Sequence, residues 1–114
     1  IIYIYIYFMN RLLNTVNVGD QYIKYRFPFI KNNIYLIKWL PNSRTILHGH
    51  NGEQCDFLFL NGGMIEYISK NKKSPIKERY IQKYKIYSIN DKIGLHKIVN
   101  TDNKTKWSIH NYYL

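Results

Sequence analysis

The chain has 114 residues, enough for one domain with a modest core and too few for two. Its 17 Lys and Arg against 7 Asp and Glu give a formal net charge of +10, which would ordinarily suggest a polyanionic partner. The lysines are scattered, however, and the wealth of Ile, Tyr, Asn and Lys resembles A+T-rich coding bias, so nucleic acid is not expected as a partner.

The opening IIYIYIYFM is apolar for too short a run to span a bilayer, and it lacks a basic leader and a small-residue cleavage site. Neither a membrane partner nor a targeting signal is expected, and Met9 is a candidate start of translation. Asn10 to Asp20 shows a weak helical tendency, so residues 1–20 are expected to extend a single domain over 21–114. Tyr22 to Phe29 alternates as a strand, with Lys24 and Arg26 on one face and Ile23, Tyr25 and Phe27 on the other. Those two cations are either solvated charges guarding an edge strand or an anion clamp inside a barrel.

Ile34 to Leu40 is an apolar strand stopped by Pro41, and Arg44 to His50 is expected to be the next strand. Gln54 to Leu60 puts Cys55, Phe57 and Phe59 on one side and Asp56, Leu58 and Leu60 opposite. Asn61-Gly62-Gly63 is the clearest hairpin turn, and Met64 to Ser69 returns from it. The lysine-rich Lys70 to Lys73 reads as a solvated loop. Ile76 to Tyr87 fits helical and strand spacing alike, with strand preferred for Lys83 to Ser88. After the Asn90-Asp91 turn, Ile93 to Asn100 and Lys106 to Tyr113 complete a series of short strands without a sustained helical period. That pattern predicts an all-β sandwich or barrel.

His48 and His50 are two apart, so in an extended chain they project to the same side and can reach one metal ion together. Such a pair alone is more often a polar patch on a half-buried sheet, but His96 supplies a distant third imidazole. The single cysteine, Cys55, excludes an internal disulfide framework and fits a reducing, cytoplasmic setting. Glu53, beside Gly52 in a turn, is expected to face solvent, and Trp39 and Trp107 to sit in the core.

The run His48-x-His50, four residues, Cys55, six residues, Gly62 resembles the first cupin motif, with cysteine where most cupins carry a metal-binding glutamate. His96, followed after three residues by Asn100, resembles the second motif. Ser108-x-His110-x-Tyr112 resembles the Ser-x-His-x-Tyr relay of cysteine dioxygenase, and Trp39 and the Gly94-Leu95-His96 run match in kind and spacing. The chain is thus similar to cysteine dioxygenases over Tyr22 to Tyr112.

The resemblance implies a single-domain, all-β cupin-type (jelly-roll) barrel, shortened at both ends relative to the family. It implies an iron-dependent thiol dioxygenase that oxidises L-cysteine to cysteine sulfinate with O₂; a monomer is expected. Fe(II) would be held by His48, His50 and His96, since three neutral imidazoles can bind it on one face and leave the others open. Ser108, His110 and Tyr112 would form the relay, and the family's Cys–Tyr thioether would fall on Cys55 and Tyr112, with a plain buried cysteine as the alternative. Lys24 or Arg26 would pair with the substrate carboxylate. Arg26 is preferred because guanidinium offers two hydrogen bonds, although the family's Tyr-x-Arg clamp falls here on Tyr22-Ile23-Lys24. The alternative function is a non-catalytic cupin that binds a metal or a small anion.

Overall fold

A computed structural model describes residues 14–17, 22–27, 31, 33–71 and 73–114. The apolar opening, Met9 and most of Asn10 to Asp20 lie outside those residues. Nine strands run in order: β1 (Asn14–Asn17), β2 (Tyr22–Arg26), β3 (Asn33–Trp39), β4 (Gln54–Phe59), β5 (Met64–Ser69), β6 (Lys77–Ile81), β7 (Ile86–Ile89), β8 (Leu95–Asn100) and β9 (Lys106–Tyr113). Among the described residues no helix is long and apolar enough to cross a membrane.

The strands form a six-stranded sheet, β1-β2-β3-β9-β4-β7, and a three-stranded sheet, β6-β5-β8. All the pairings are antiparallel. One apolar cluster fills the space between the sheets, drawing Ile37 and Trp39 from β3, Cys55, Phe57 and Phe59 from β4, Met64 from β5 and Ile98 from β8. Alternation along β4 buries Cys55, Phe57 and Phe59 and leaves Gln54, Asp56 and Leu58 half-exposed, as expected of a strand with one face in the core. The β4–β5 hairpin turns through Gly63 at φ 79°. A side chain there would also meet the Asp102 carboxylate at 2.8 Å, so glycine suits this corner twice over.

Three sequence expectations are corrected. Residues 14–17 are strand, not helix, and pair with β2 from Asn14 opposite Arg26 to Asn17 opposite Ile23. Thr15 and Val16 are β-branched, which favours the extended backbone that pairs with β2. Arg44 to His50 is not a strand but a segment joined to β8 by two isolated bridges, Arg44 with Val99 and His48 with His96. Between them the Thr45 hydroxyl accepts the Ile98 N–H at 3.0 Å, replacing a carbonyl and interrupting the ladder. The Lys83 to Ser88 strand begins only at Ile86. Tyr84 is held at φ 65° while its N–H donates to the Phe59 carbonyl at 2.8 Å, a turn that extended spacing could not show.

Candidate metal centre

The bridge between His48 and His96 is closed by reciprocal backbone hydrogen bonds of 2.9 and 3.0 Å, so these two histidines are neighbours across the seam between a loop and β8. His50 follows two residues on and turns its ring to the same point. The ring centroids lie 4.7 Å (His48–His96), 4.8 Å (His50–His96) and 5.2 Å (His48–His50) apart. One nitrogen from each ring falls within 4.8 Å of the others. Metal–nitrogen bonds of about 2.1 Å put neighbouring ligand nitrogens roughly 3.0–3.4 Å apart, so the three rings would close on a bound ion by up to about 1.5 Å.

Hydrogen bonding decides which nitrogens are free. His48 Nδ1 is 2.8 Å from the Ile46 carbonyl, which can only accept, so Nδ1 carries the proton and Nε2 keeps its lone pair. His96 Nδ1 is 2.7 Å from Glu66 Oε2, an acceptor, so that nitrogen carries a hydrogen as well. His50 Nδ1 is buried and has no hydrogen-bond partner among the described residues. Burial lowers the His48 pKa, against the Ile46 carbonyl bond, which raises it. Burial first, then the proximity of His96 and His48, lower that of His50 to about 4. Both imidazoles are therefore neutral at pH 7, the form a metal accepts. A site of three imidazoles suits iron, zinc, copper or nickel better than magnesium or calcium.

The loop that carries His50 is fastened from the turn before β8. Asp91 accepts the His50 N–H on Oδ1 and the Gly52 N–H on Oδ2, each at 2.8 Å. Those two bonds, in that order, hold its carboxyl below the usual range. A side chain at Gly49 would come within 3.1 Å of the Asp91 carboxylate and 3.2 Å of Leu95, so the glycine between the two histidines permits this close approach.

Behind the histidine trio lies a second, drier cluster. The Trp39 indole N–H donates to Ser108 Oγ at 2.8 Å, and Ser108 Oγ lies 2.8 Å from His110 Nε2. His110 Nδ1 is 3.6 Å from Cys55 Sγ. One proton arrangement satisfies the chain throughout: indole to hydroxyl, hydroxyl to Nε2, Nδ1–H to sulfur, and the thiol toward the Asp56 carbonyl at 3.9 Å. Burial pushes the Cys55 thiol up to about 12, opposed by its hydrogen bond with Tyr112. Burial likewise raises the Tyr112 phenol well above its ordinary range. Cys55 and Tyr112 are direct cross-strand partners in the β4–β9 register. Ser108, His110 and Tyr112 share one face of β9, and the His110 and Tyr112 rings stack at 6.2 Å between centroids, while the Nδ1 side of His110 meets Cys55.

A cavity of about 300 Å³ opens beside the trio, with Tyr22, Lys24, Tyr35, His48, His50 and Tyr112 in its wall. Lys24 Nζ lies 4.8 Å above the rings of both Tyr35 and Tyr112. Burial lowers its pKa, and no carboxylate among the described residues pairs with it. Arg26, the preferred clamp from sequence, is not in this wall; its guanidinium donates to Asn33 Oδ1 at 3.1 Å. Glu53, expected in solvent, is half-buried and does line the cavity. Asn51 and Gly52 at φ 51° and 85° fold the loop back, and the Glu53 N–H closes the turn onto the His50 carbonyl at 2.9 Å.

Sequence reasoning missed Glu66. It is completely buried, holds His96 Nδ1 with one oxygen and receives Arg79 on the other. The signal was available, since β5 alternation puts Glu66 on the same face as Met64. A lone carboxylate on the core face of a strand requires buried partners.

An all-β barrel with three convergent imidazoles at one mouth is the architecture of a metal-binding cupin. Its fold is similar to that of AerE from Microcystis aeruginosa (17% identity, TM-score 0.68, covering 89% of this chain and 45% of that one). It is also similar to the capsular polysaccharide assembling protein CapF from Staphylococcus aureus (21%, 0.69, 88% and 28%) and to the Drosophila melanogaster CENP-C cupin domain (13%, 0.69, 89% and 75%). The chain spans less than half the length of AerE and of CapF. Residues 21–114 match the family described as cysteine dioxygenase type I, and the chain belongs to that family.

Proposed function

We propose that this protein is an iron-dependent thiol dioxygenase that converts L-cysteine to cysteine sulfinic acid. The observation that carries the proposal is the conjunction, in one cavity wall, of two of the three convergent imidazoles with a lysine ammonium that pairs with no carboxylate among the described residues. Fe(II) held by His48, His50 and His96 would supply coordination of the thiolate and of dioxygen, in a site whose ligands add no negative charge. The reaction balances without an external reductant: both oxygen atoms go to sulfur, which loses four electrons while O₂ gains four.

The chain's own groups would bind and orient the substrate. Lys24 pairs with the carboxylate, and this single-point ammonium contact replaces the forked arginine contact the family uses. The Tyr112 hydroxyl stays protonated beside Cys55, and its one hydrogen would turn from the Cys55 sulfur to the substrate on the reacting face. The Trp39–Ser108–His110 chain fixes the ring behind Cys55, and so the position of Tyr112. The Cys55–Tyr112 thioether is open to this pair because they face each other across β4 and β9; a mass two hydrogens lighter after turnover would reveal it.

The test is anaerobic loading with Fe(II), followed by measurement of O₂ uptake with L-cysteine and of sulfinate formed. One O₂ consumed per sulfinate is the expected result. Iron binding without O₂ uptake from cysteine or from other small thiols would leave a non-catalytic metal-binding cupin.

A further inference from the structure

Beneath the histidine trio runs a polar contact that the proposed chemistry does not use. Glu66 on β5 and Arg79 on β6 are direct cross-strand partners. Glu66 is 0% exposed and lies on the core face with Met64. Its Oε2 is 2.7 Å from His96 Nδ1; its Oε1 accepts Arg79 Nε at 2.7 Å and also receives Nη2. The Arg79 side chain is one-third exposed, with its guanidinium carbon 4.7 Å above the Tyr87 ring. A carboxylate alone at this depth would be costly, and removing its partner would leave a buried uncompensated charge.

We infer that Glu66 and Arg79 are positioning residues for the metal centre: together they hold His96 as the Nδ1–H tautomer, with Nε2 free toward His48 and His50. This rests on the trio binding a metal, but not on any thiol chemistry. The logic is one of donors and acceptors. Arg79 has only donors, so both its bonds require an acceptor on the Oε1 side. A carboxylate is acceptor-only on the other side as well, so the His96 nitrogen facing it must carry the hydrogen. Histidine ligands whose second nitrogen is held this way bind metal more tightly, and loss of such a partner typically costs 10–100-fold in affinity, to order of magnitude.

Glu66→Gln is the discriminating variant. Arg79 keeps the Gln oxygen on its own side, which turns the amide –NH₂ toward His96. An –NH₂ group can only donate, so His96 must switch to Nε2–H, and that hydrogen occupies the lone pair the metal needs. The full chain would be titrated with Co(II) alone, following its visible absorption, and the His96 tautomer would be read by ¹⁵N NMR of the metal-free protein.

The expected results are Nδ1–H in the wild type, Nε2–H in Glu66→Gln, and Co(II) affinity lower in the variant by about 10–100-fold. Arg79→Lys, which keeps the charge and loses the fork, should fall between. Wild-type His96 found as Nε2–H overturns the inference without any variant, so a Glu66→Gln chain that fails to fold does not protect it. A folded Glu66→Gln that keeps the wild-type tautomer and affinity also overturns it. Wild type that binds no Co(II) removes the metal centre and this inference together. Normal Co(II) behaviour without thiol oxidation removes only the proposed reaction.

Discussion

The chain's four histidines divide into two neighbouring groups that the barrel treats in opposite ways. Phe57 touches both, its ring 6.2 Å from His96 and 5.3 Å from His110. His110 has both ring nitrogens occupied, by Ser108 Oγ and Cys55 Sγ, and burial keeps it neutral by lowering its pKa far below the ordinary value. His48 and His96 each have one nitrogen tied back to protein, leaving the other toward a common point. Burial does not separate the groups, because His96 is as buried as His110. A histidine is available to a metal when the fold leaves one nitrogen unspent.

Breaking the trio should have the largest effect. His48 is half-exposed, so His48→Ala should fold normally yet lose more than about a hundredfold in Co(II) affinity, exceeding the cost of losing a supporting contact. Unchanged affinity would mean that a metal binds elsewhere. Breaking the other group should instead cost stability. Ser108→Ala leaves the buried Trp39 N–H and His110 Nε2 without their partner, so denaturant unfolding should show a loss of about 1–3 kcal/mol. Metal affinity should change far less, because Ser108 bonds to Trp39 and His110 and to none of the three converging rings. Parallel losses in both readouts would merge the two groups into one unit.

Lys24→Met addresses the space in front of the trio. KM for L-cysteine should rise about tenfold, the scale of one charge-assisted hydrogen bond, while Co(II) uptake is unchanged. The smallest effect should come from the far end of the barrel, where Lys106 Nζ donates to Asp102 at 2.7 Å. That bond first, and the Lys104 N–H second, lower the Asp102 pKa. A folded pKa below the unfolded value gives stability that is present above about pH 4 and is lost as pH falls through the folded value. Melting curves from about pH 6 to pH 2 should show that loss in the wild type, and a shallower one in Asp102→Asn.

Much of this was legible in the residues. Period-two alternation located the buried face of β4, and Asn61-Gly62-Gly63 marked its hairpin. The His48-x-His50 spacing with His96 identified a trio that does converge. The expected reason for that convergence was incomplete, since the first two histidines ride on a bridged loop and not on a strand. A strand was a fair expectation from side chains alone; the interruption comes from Thr45 capturing a backbone N–H, a contact made across 53 positions in the chain. Arg26 drew attention for its forked chemistry, but strand geometry cannot say how far along a face a cavity reaches, and it is Lys24 that lines the wall. Glu66 was passed over because it lies 30 positions from the histidine it supports.

Asp91 ties down the loop of His50 and Gly52 from the turn just ahead of His96, so the two chain segments that supply ligands are fastened to each other by protein contacts alone. An ion arriving at this mouth would meet a shape already made and would not have to gather a loose chain around itself. The polypeptide should therefore complete its folding in metal-poor surroundings and load afterwards, unlike small zinc domains that fold only around their ion. A chelator should strip such a protein of its metal while leaving its melting transition cooperative.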